Sequence, residues 1–373
     1  MMFRYAHITG WGMHVPEKIL TNDDISKMVN TTDEWIQERT GIRERHIVAR
    51  EQTTASIGTE ASLMALKSAG IRPQKIDLII VATSSPEHLF PATASVIQDS
   101  IGAINAGAFD LLAACTGFIY ALDVAAQAIR SGSINTALVI GSETLSRLVN
   151  WKDRGTSILF GDGAGAFILQ GSDQPGGVLS SVLRSDGSGA DLLHIPAGGS
   201  SIPASSESVS NGQHYIHMNG REVFRFATRV MAQVTGEAVK KANITMEDVD
   251  LIIPHQANSR IIEAAARQMK MPIEKFMVNV DRYGNTSAAS IPIATCEALQ
   301  ASRLKQGDKV VFVGFGGGLT WGAMVVEWSE PFPHVQKIRN IRYYRVRARI
   351  WSILRRLGRR IETLLWGGRY PGF

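Results

Sequence analysis

The chain has 373 residues, 45% of them hydrophobic and 20% charged, the composition of a soluble globular protein long enough for a well-buried core. Two cysteines in this length argue against a disulfide-stapled secreted scaffold and for a reducing compartment. The net charge of +5 is unevenly held: residues 331–373 carry 11 Lys and Arg against the single acid Glu362, which leaves 28 basic and 33 acidic residues, a net of −5, over 1–330.

The start, MMFRYAHITGWGMHVPEK, holds no sustained apolar run of a secretory signal. No stretch approaches the ~18 uninterrupted apolar residues of a membrane span. A cytoplasmic protein is expected. Apolar, β-branched runs at Ile79–Ala82, Ala137–Ile140, Leu251–Ile253 and Val310–Val313 suit strands covered on both faces. Helix-like stretches alternate with them, which predicts parallel sheets in a layered α/β fold. KIDLIIVATSS begins at Lys75 and DVDLIIPHQAN at Asp248; NTALVIGSE begins at Asn135 and DKVVFVGFG at Asp308. Each second member lies 173 residues after the first, so one offset aligns two separate strands and predicts two similar halves. The halves run over 1–171 and 172–330, with an extension over 331–373. Between them, 171–220 is rich in Gly, Ser and Pro and reads as a loop-rich connection with a hairpin. Under the same offset Cys115 falls opposite Ala288, so two equivalent strand-to-helix turns face each other across a pseudo-twofold axis, a natural place for a shared site.

Cys115, in DLLAACTGFIYAL (110–122), opens an amphipathic helix with Phe118, Leu122 and Ala125 along one side. The positive end of a helix dipole favours thiolate. Free cysteine is also among the most buried residue types, and this segment alone favours a structural thiol. GDGAGA (161–166) has the glycines of a dinucleotide-binding turn, but FILQG follows it, more like a strand than a helix. No Lys-Ser or Lys-Thr follows a glycine run, which excludes a P-loop. His214 and His217, in HYIHMNG, have no carboxylate or cysteine at ligand spacing, so no metal site is expected. His255, in PHQANSRIIEAAARQ, stands where a buried strand ends, the place where α/β folds bind ligands, although a lone histidine is usually structural. Asn285, in GNTSAAS, reads by itself as a turn or N-cap asparagine. The glycine-rich run VGFGGGLTWG (313–322) follows a strand and can bring backbone N–H groups to a developing oxyanion.

Together AACTGF, PHQAN, GNTSAAS and GFGGGLTWG, with TTDEWIQERTGIRERHIV (31–48) and DRGTSILFGDGAGA (153–166), resemble β-ketoacyl-acyl-carrier-protein synthase III, the initiating condensing enzyme of bacterial type II fatty-acid synthesis. The resemblance covers roughly residues 3–329. It implies an α/β, thiolase-like fold of two duplicated halves in a layered α-β-α-β-α arrangement. It implies a decarboxylating Claisen condensation of a short acyl-CoA with malonyl-acyl carrier protein, through an acyl-Cys115 intermediate, with no cofactor beyond these substrates. By the same resemblance His255 and Asn285 complete the catalytic set, and the backbone N–H groups of Cys115 and Gly317 form the oxyanion hole. Trp35 and Arg39 match residues that hold the coenzyme A adenine, and Thr31, Arg154 and Asn258 match further coenzyme A contacts. Phe90, in EHLFPAT, matches a residue that reaches the partner's acyl pocket across a homodimer interface, and Phe160 belongs to the same pocket. A thiolase needs a second catalytic cysteine near the glycine run, which is absent; Cys296 reads as core. Elongating synthases carry a second histidine in place of Asn285. The alternatives are a specialised relative of secondary metabolism loading an unusual starter, and a non-catalytic binding subunit.

Arg221, Arg225 and Arg229 recur every four residues, and Arg260 and Arg267 share a face of the helix after PHQAN. A solvated face and a docking site for acidic carrier protein are equally open from charge alone; positions 225, 260 and 267 coincide with the family's carrier-docking helices. The extension carries Val346, Ile350, Ile353, Leu354, Leu357, Ile361 and Leu364 at helical spacing, with arginines between them and Trp351 and Trp366 at hand. Such a basic amphipathic helix is expected to lie on an anionic membrane, pack on the body or another subunit, or bind an acidic partner. No nucleic-acid module accompanies it, so no nucleic acid is expected.

Overall fold

In this computed structural model residues 4–329 and 341–366 are described, and the side chains of Ile341, Arg342, Leu364, Leu365 and Trp366 lie outside the described set. The first half begins with β1 (Tyr5–His14), β2 (Lys18–Thr21), α1 (Asn22–Ser26), α2 (Asp33–Thr40), β3 (Glu44–Ile47) and α3 (Thr54–Ala69). It continues with β4 (Leu78–Ala82), α4 (Thr93–Ile101), β5 (Gly107–Leu111), α5 (Gly117–Arg130), β6 (Thr136–Thr144), α6 (Arg154–Ser157) and β7 (Asp162–Ser172). Then follow β8 (Gly177–Ser185), β9 (Leu193–His194), α7 (Ser206–Ser210), β10 (His217–Met218), α8 (Gly220–Lys241), β11 (Leu251–Pro254) and α9 (Ser259–Met269). The last elements are α10 (Val280–Tyr283), α11 (Ser290–Gln300), β12 (Lys309–Gly316), β13 (Thr320–Glu327) and α12 (Ile341–Trp366).

The two main sheets share one plan. The first has the order β1-β7-β6-β4-β5, the second β8-β13-β12-β11. Each contains a parallel pair (β4 with β6, β11 with β12), and the strand on the far side of β6 or β12 is antiparallel to it. Strands β4 and β11, β6 and β12, and helices α5 and α11 each begin 173 residues apart. An isolated parallel bridge between Ile252 and Phe276 stands where the second sheet lacks a counterpart of β5.

Helix α3 covers β1, β6 and β7 from outside, and α8 covers β8, β12 and β13. Helices α5 and α11 lie between the sheets, in a core that includes Phe118, Phe167, Ile253, Ile291 and Phe312. The result is five layers, α-β-α-β-α. Each fully buried large side chain of that core contributes about 1.5–3 kcal/mol of transfer free energy. Strands buried on both faces explain the continuous apolar runs seen in the sequence.

The stretch GDGAGA opens β7, as the following FILQG suggested, and its glycines serve packing. A Cβ on Gly163 or Gly165 would lie 2.8 Å from Ile293 Cδ1 or 2.6 Å from Pro292 Cβ, on α11. Of the 171–220 connection, GGVLSSVL becomes β8, which pairs with β13 rather than forming a local hairpin, because Val178, Ser180 and Val182 face inward. The hairpin-like element there is the two-residue ladder of β9 and β10, closed by a long loop.

Strand β5 is an edge, and apolar side chains gather beside it. Leu89, Phe90 and Leu112 are 86%, 87% and 77% exposed, and Phe109 on β5 itself is also exposed. Such an uncovered edge is a template for pairing.

Candidate active site

Cys115 lies in a single helical turn, residues 114–116, between β5 and α5. Ala114 adopts φ 48°, and so does Ser287, 173 residues later, in the turn that precedes α11. A non-glycine residue in that region costs on the order of 1–3 kcal/mol and persists only where its surroundings enforce it. Here Thr116 N–H donates to Ala113 O at 3.2 Å, and the Thr320 hydroxyl donates to the same carbonyl at 3.0 Å. The end of β12 then comes against the nucleophile turn: a Cβ on Gly316 would stand 2.7 Å from Cys115 N. Only glycine permits that approach. Gly317, next along, lines the same cavity as Cys115.

His255 follows the last residue of β11. Its N–H donates to Val313 O at 2.8 Å, and its ring meets Phe315 edge-on at 5.3 Å. Gln256 locks the loop beneath it, donating to the carbonyls of Pro254 (2.8 Å) and Met277 (3.0 Å) and accepting from Asn279 N–H (2.9 Å). His255 Nδ1 bonds Ser290 Oγ at 2.7 Å, while the buried Nε2 has no partner among the described residues. Burial lowers its pKa to about 3, so the imidazole is neutral.

Asn285 comes after Gly284, and its backbone is pinned by Leu159 O and Gly161 N–H at 2.8 and 3.0 Å. Its Oδ1 accepts from Ser287 N–H at 2.8 Å, which leaves the two Nδ2 protons as donors. Cys115, His255 and Asn285 all line one narrow chamber of about 80 Å³, with Phe224, Asn258, Phe315 and Gly316. A second chamber of about 500 Å³ meets it at Cys115, Phe160 and Leu193, and its walls are apolar: Leu112, Leu145, Leu148, Ile195 and Ile216. The thiol therefore stands where a narrow chamber bearing the polar groups of His255, Asn258 and Asn285 opens into a wider apolar pocket.

Burial pushes the Cys115 thiol up to about 12, opposed by a hydrogen bond from Ser287 and reinforced by Glu143. Desolvation is the largest of these influences and favours the neutral thiol, against the pull of a helix N-terminus towards thiolate. Alkylation by iodoacetamide should accordingly rise about tenfold per pH unit from pH 7 to 10, with no plateau; a plateau near neutral pH, followed by mass spectrometry, would contradict this. Glu143 is fully buried at the end of β6, and burial raises its pKa. It accepts from Ser84 N–H (3.1 Å) and the Ser85 hydroxyl (2.6 Å), fixing the loop that brings Ser84 to the apolar pocket. Cys296 is buried on α11, away from both chambers' linings, and burial raises its thiol pKa as well.

The remaining predicted residues fall into three places. Asn258 lines the narrow chamber, caps α9 by accepting from Arg260 N–H (2.9 Å), and donates to Arg39 O (2.9 Å), which ties α2 to the chamber. On α2, Trp35 has the guanidinium groups of Arg39 and Arg154 at 4.9 and 4.6 Å from its ring. Thr31 Oγ1 nearby is buried with no hydrogen-bond partner among the described residues. Arg221, Arg225, Arg260 and Arg267 lie on α8 and α9, which pack together, with Arg260 5.7 Å over Phe224 of the chamber wall. Arg225 pairs with Glu222 and Arg267 with Glu263, whereas no such pair is found for Arg221 or Arg260 among the described residues. Phe160 lines both chambers; Phe90 lines neither. Among the described residues no group of three His, Cys, Asp or Glu side chains is placed to hold a metal.

Sequence reasoning passed over Ser290, Ser287, Gln256 and Glu143. The two serines stand in the very stretch GNTSAAS that holds Asn285, but the role of Ser290 depends on a contact with His255 across 35 residues, and that of Ser287 on its contacts with Asn285 and Cys115.

Family models described as 3-oxoacyl-[acyl-carrier-protein] synthase III and its C-terminal part match residues 109–187 and 239–328. The β-ketoacyl-[acyl-carrier-protein] synthase III of Symbiobacterium thermophilum is 52% identical over 330 residues, 88% of this chain and 100% of the relative. That of Roseiflexus sp. (strain RS-1) is 50% identical over 328 residues, again 88% and 100%. The crystal structure of 3-oxoacyl-[acyl-carrier-protein] synthase III from Aquifex aeolicus superposes with a TM-score of 0.80 at 46% identity, covering 87% of this chain and all of that one.

Proposed function

Since this chain belongs to the β-ketoacyl-acyl-carrier-protein synthase III family, we propose that its Cys115 carries the acyl group while His255 and Asn285 stabilise the malonyl-derived nucleophile. The chain is an acyl-transferring condensing enzyme that initiates fatty-acid synthesis. The observation that supports the residue assignment is the convergence of Cys115, the unpartnered His255 Nε2 and the Asn285 amide on one chamber.

In the first half-reaction the Cys115 sulfur attacks the thioester carbonyl of acyl-CoA. The new C–S bond replaces the bond to coenzyme A, and the thiol proton passes through His255 Nε2 to the departing sulfur. Backbone N–H groups of Cys115 and Gly317 take the oxyanion, and the acyl chain enters the apolar pocket beside Phe160. In the second, the malonyl thioester loses carbon dioxide, and the electron pair of the broken C–C bond becomes an enolate. Its oxygen accepts from His255 Nε2–H and Asn285 Nδ2–H. The carbanion attacks acyl-Cys115, the β-ketoacyl thioester leaves on the carrier, and the released thiolate takes up a proton.

His255 Nε2 must accept a proton in the first step and donate a hydrogen bond in the second. The Ser290 hydroxyl serves both tautomers, since it can accept from Nδ1–H or donate to bare Nδ1. Ser290→Ala strands a buried nitrogen and is expected to slow both half-reactions roughly 10–100-fold at unchanged KM for acyl-CoA, with Ser290→Thr restoring most of the rate. A rise in KM at unchanged kcat would contradict the positioning role.

Trp35, Arg39, Arg154, Thr31 and Asn258 form the coenzyme A path at the mouth of the narrow chamber. Acidic carrier protein docks beside it, chiefly on Arg221 and Arg260, since Arg225 and Arg267 are partly neutralised by Glu222 and Glu263. The exposed β5 edge with Phe109 and Leu112 supports a homodimer, in which Phe90 of one copy reaches the other's pocket; solution mass tests this. A starter for secondary metabolism has no observation in its favour. The test of the reading is product stoichiometry: acetyl-CoA with malonyl-carrier protein should yield β-ketoacyl-carrier protein and carbon dioxide one to one, and acyl exchange alone would contradict it.

A further inference from the structure

The C-terminal helix α12 sits on the body with its polar side inward. Ala348 and Ser352 are buried, Tyr344 and Arg355 half-buried, and these four recur at helical spacing. Ser352 Oγ donates to Asp99 of α4 at 2.6 Å, Arg355 pairs with the same carboxylate at 2.6 Å, and Arg345 pairs with Glu60 of α3. Ala348 packs against Gly102, just past α4. At 100° per residue, the opposite side holds Val346, Ile350, Ile353, Leu354, Leu357 and Ile361. All six are 48–57% exposed. This inverts the usual arrangement, in which an amphipathic helix buries its apolar stripe against its own core.

The stripe is about 23 Å long at 1.5 Å per residue. Exposed Arg349 and Arg360 border it on one side and Arg347 on the other, while Arg356 reaches back to Asp99 at 3.8 Å; Glu362 is the only acid in residues 341–366. A second copy is a poor cover, because stripe-to-stripe pairing sets arginine rows against each other with a single acid per helix to offset them. The chain's own acidic body already holds the other face. A long straight apolar stripe flanked by cations matches an anionic bilayer surface, where the side chains enter the headgroup boundary and the arginines meet lipid phosphates. The 330-residue match to a full-length relative leaves room for an added segment of this kind in the 373-residue chain.

We propose that α12 is a membrane-docking face that seats this enzyme on anionic lipid, clasped to the body through Asp99 and Glu60 so that its apolar stripe points outward. The proposal does not depend on the catalytic assignment. It is tested by flotation of the full chain with vesicles of equal parts phosphatidylglycerol and phosphatidylcholine, and with phosphatidylcholine alone. Binding is expected to the anionic vesicles, weakened at least tenfold on neutral ones. Ile350→Glu with Leu357→Glu should weaken it a further tenfold or more, and Arg347→Gln, Arg349→Gln and Arg360→Gln together roughly 100-fold. None of these changes should alter condensation of soluble substrates, which separates this proposal from the enzymatic one. Failure of the full chain to float, undiminished binding by the double glutamate variant, or stripe-dependent binding of an acidic protein in place of vesicles would each overturn it.

Discussion

A Cys115→Ala chain is expected to lose condensation by roughly 10³-fold or more and yet to keep releasing carbon dioxide from a malonyl thioester. The covalent intermediate needs the sulfur, which no other group in the chamber replaces. Decarboxylation needs only hydrogen-bond donors for the enolate oxygen, and His255 and Asn285 are held by contacts that do not involve Cys115: Ser290 and the Ser287 N–H. The enolate then has no acyl acceptor and is protonated, so the product is the acetyl thioester. Carbon dioxide and carrier-bound products, measured together, check this. Equal loss of both activities would show that the thiol itself takes part in decarboxylation.

Asn285→Ala should give the complementary pattern. Removing one of two preorganised donors to a developing oxyanion costs about 10²–10³ in rate, here in decarboxylation and hence in condensation. Acylation of Cys115 should proceed at nearly the parent rate, because in the proposed mechanism the amide serves the enolate rather than the acyl carbonyl. Asn285→Asp should be at least as damaging, since a carboxylate repels the enolate it replaces a donor for. Stopped acylation measured by mass, beside steady-state condensation, distinguishes the two steps. Loss of acylation in Asn285→Ala would mean that the bond from Ser287 N–H to Asn285 Oδ1 helps to hold the nucleophile turn as well.

The duplicated plan was legible because buried parallel strands are short continuous apolar runs, and the repeated Asp-Leu-Ile-Ile fixes the offset without ambiguity. The same offset foretold that the turns bearing Cys115 and Ala288 correspond; the shared φ of 48° at Ala114 and Ser287 is its backbone expression. The fate of GGVLSSVL was not legible, since pairing to β13 joins segments about 140 residues apart, and only the burial of alternate residues reveals it. Around the site, Cys115, His255 and Asn285 were found through their motifs, while local chemistry alone favoured bland readings of each. The balance of influences on the Cys115 thiol was not legible, because a sequence shows the helix that follows but not the depth of burial that raises its pKa. Ser290 escaped because a serine on an apolar helix is ordinary until the imidazole 35 residues away is seen against it. In α12 the periodicity was plain, yet the face turned to the body was not: Ala348 and Ser352 are unremarkable without Gly102 and Asp99 beneath them.

The central claim is that Cys115 is the acyl carrier, and the most direct test is the intact mass of the full chain after mixing with acetyl-CoA. One acetyl increment is expected on the parent chain, none on Cys115→Ala, and its discharge on addition of malonyl-carrier protein. An increment that persists in Cys115→Ala, or one that malonyl-carrier protein does not discharge, would contradict the account.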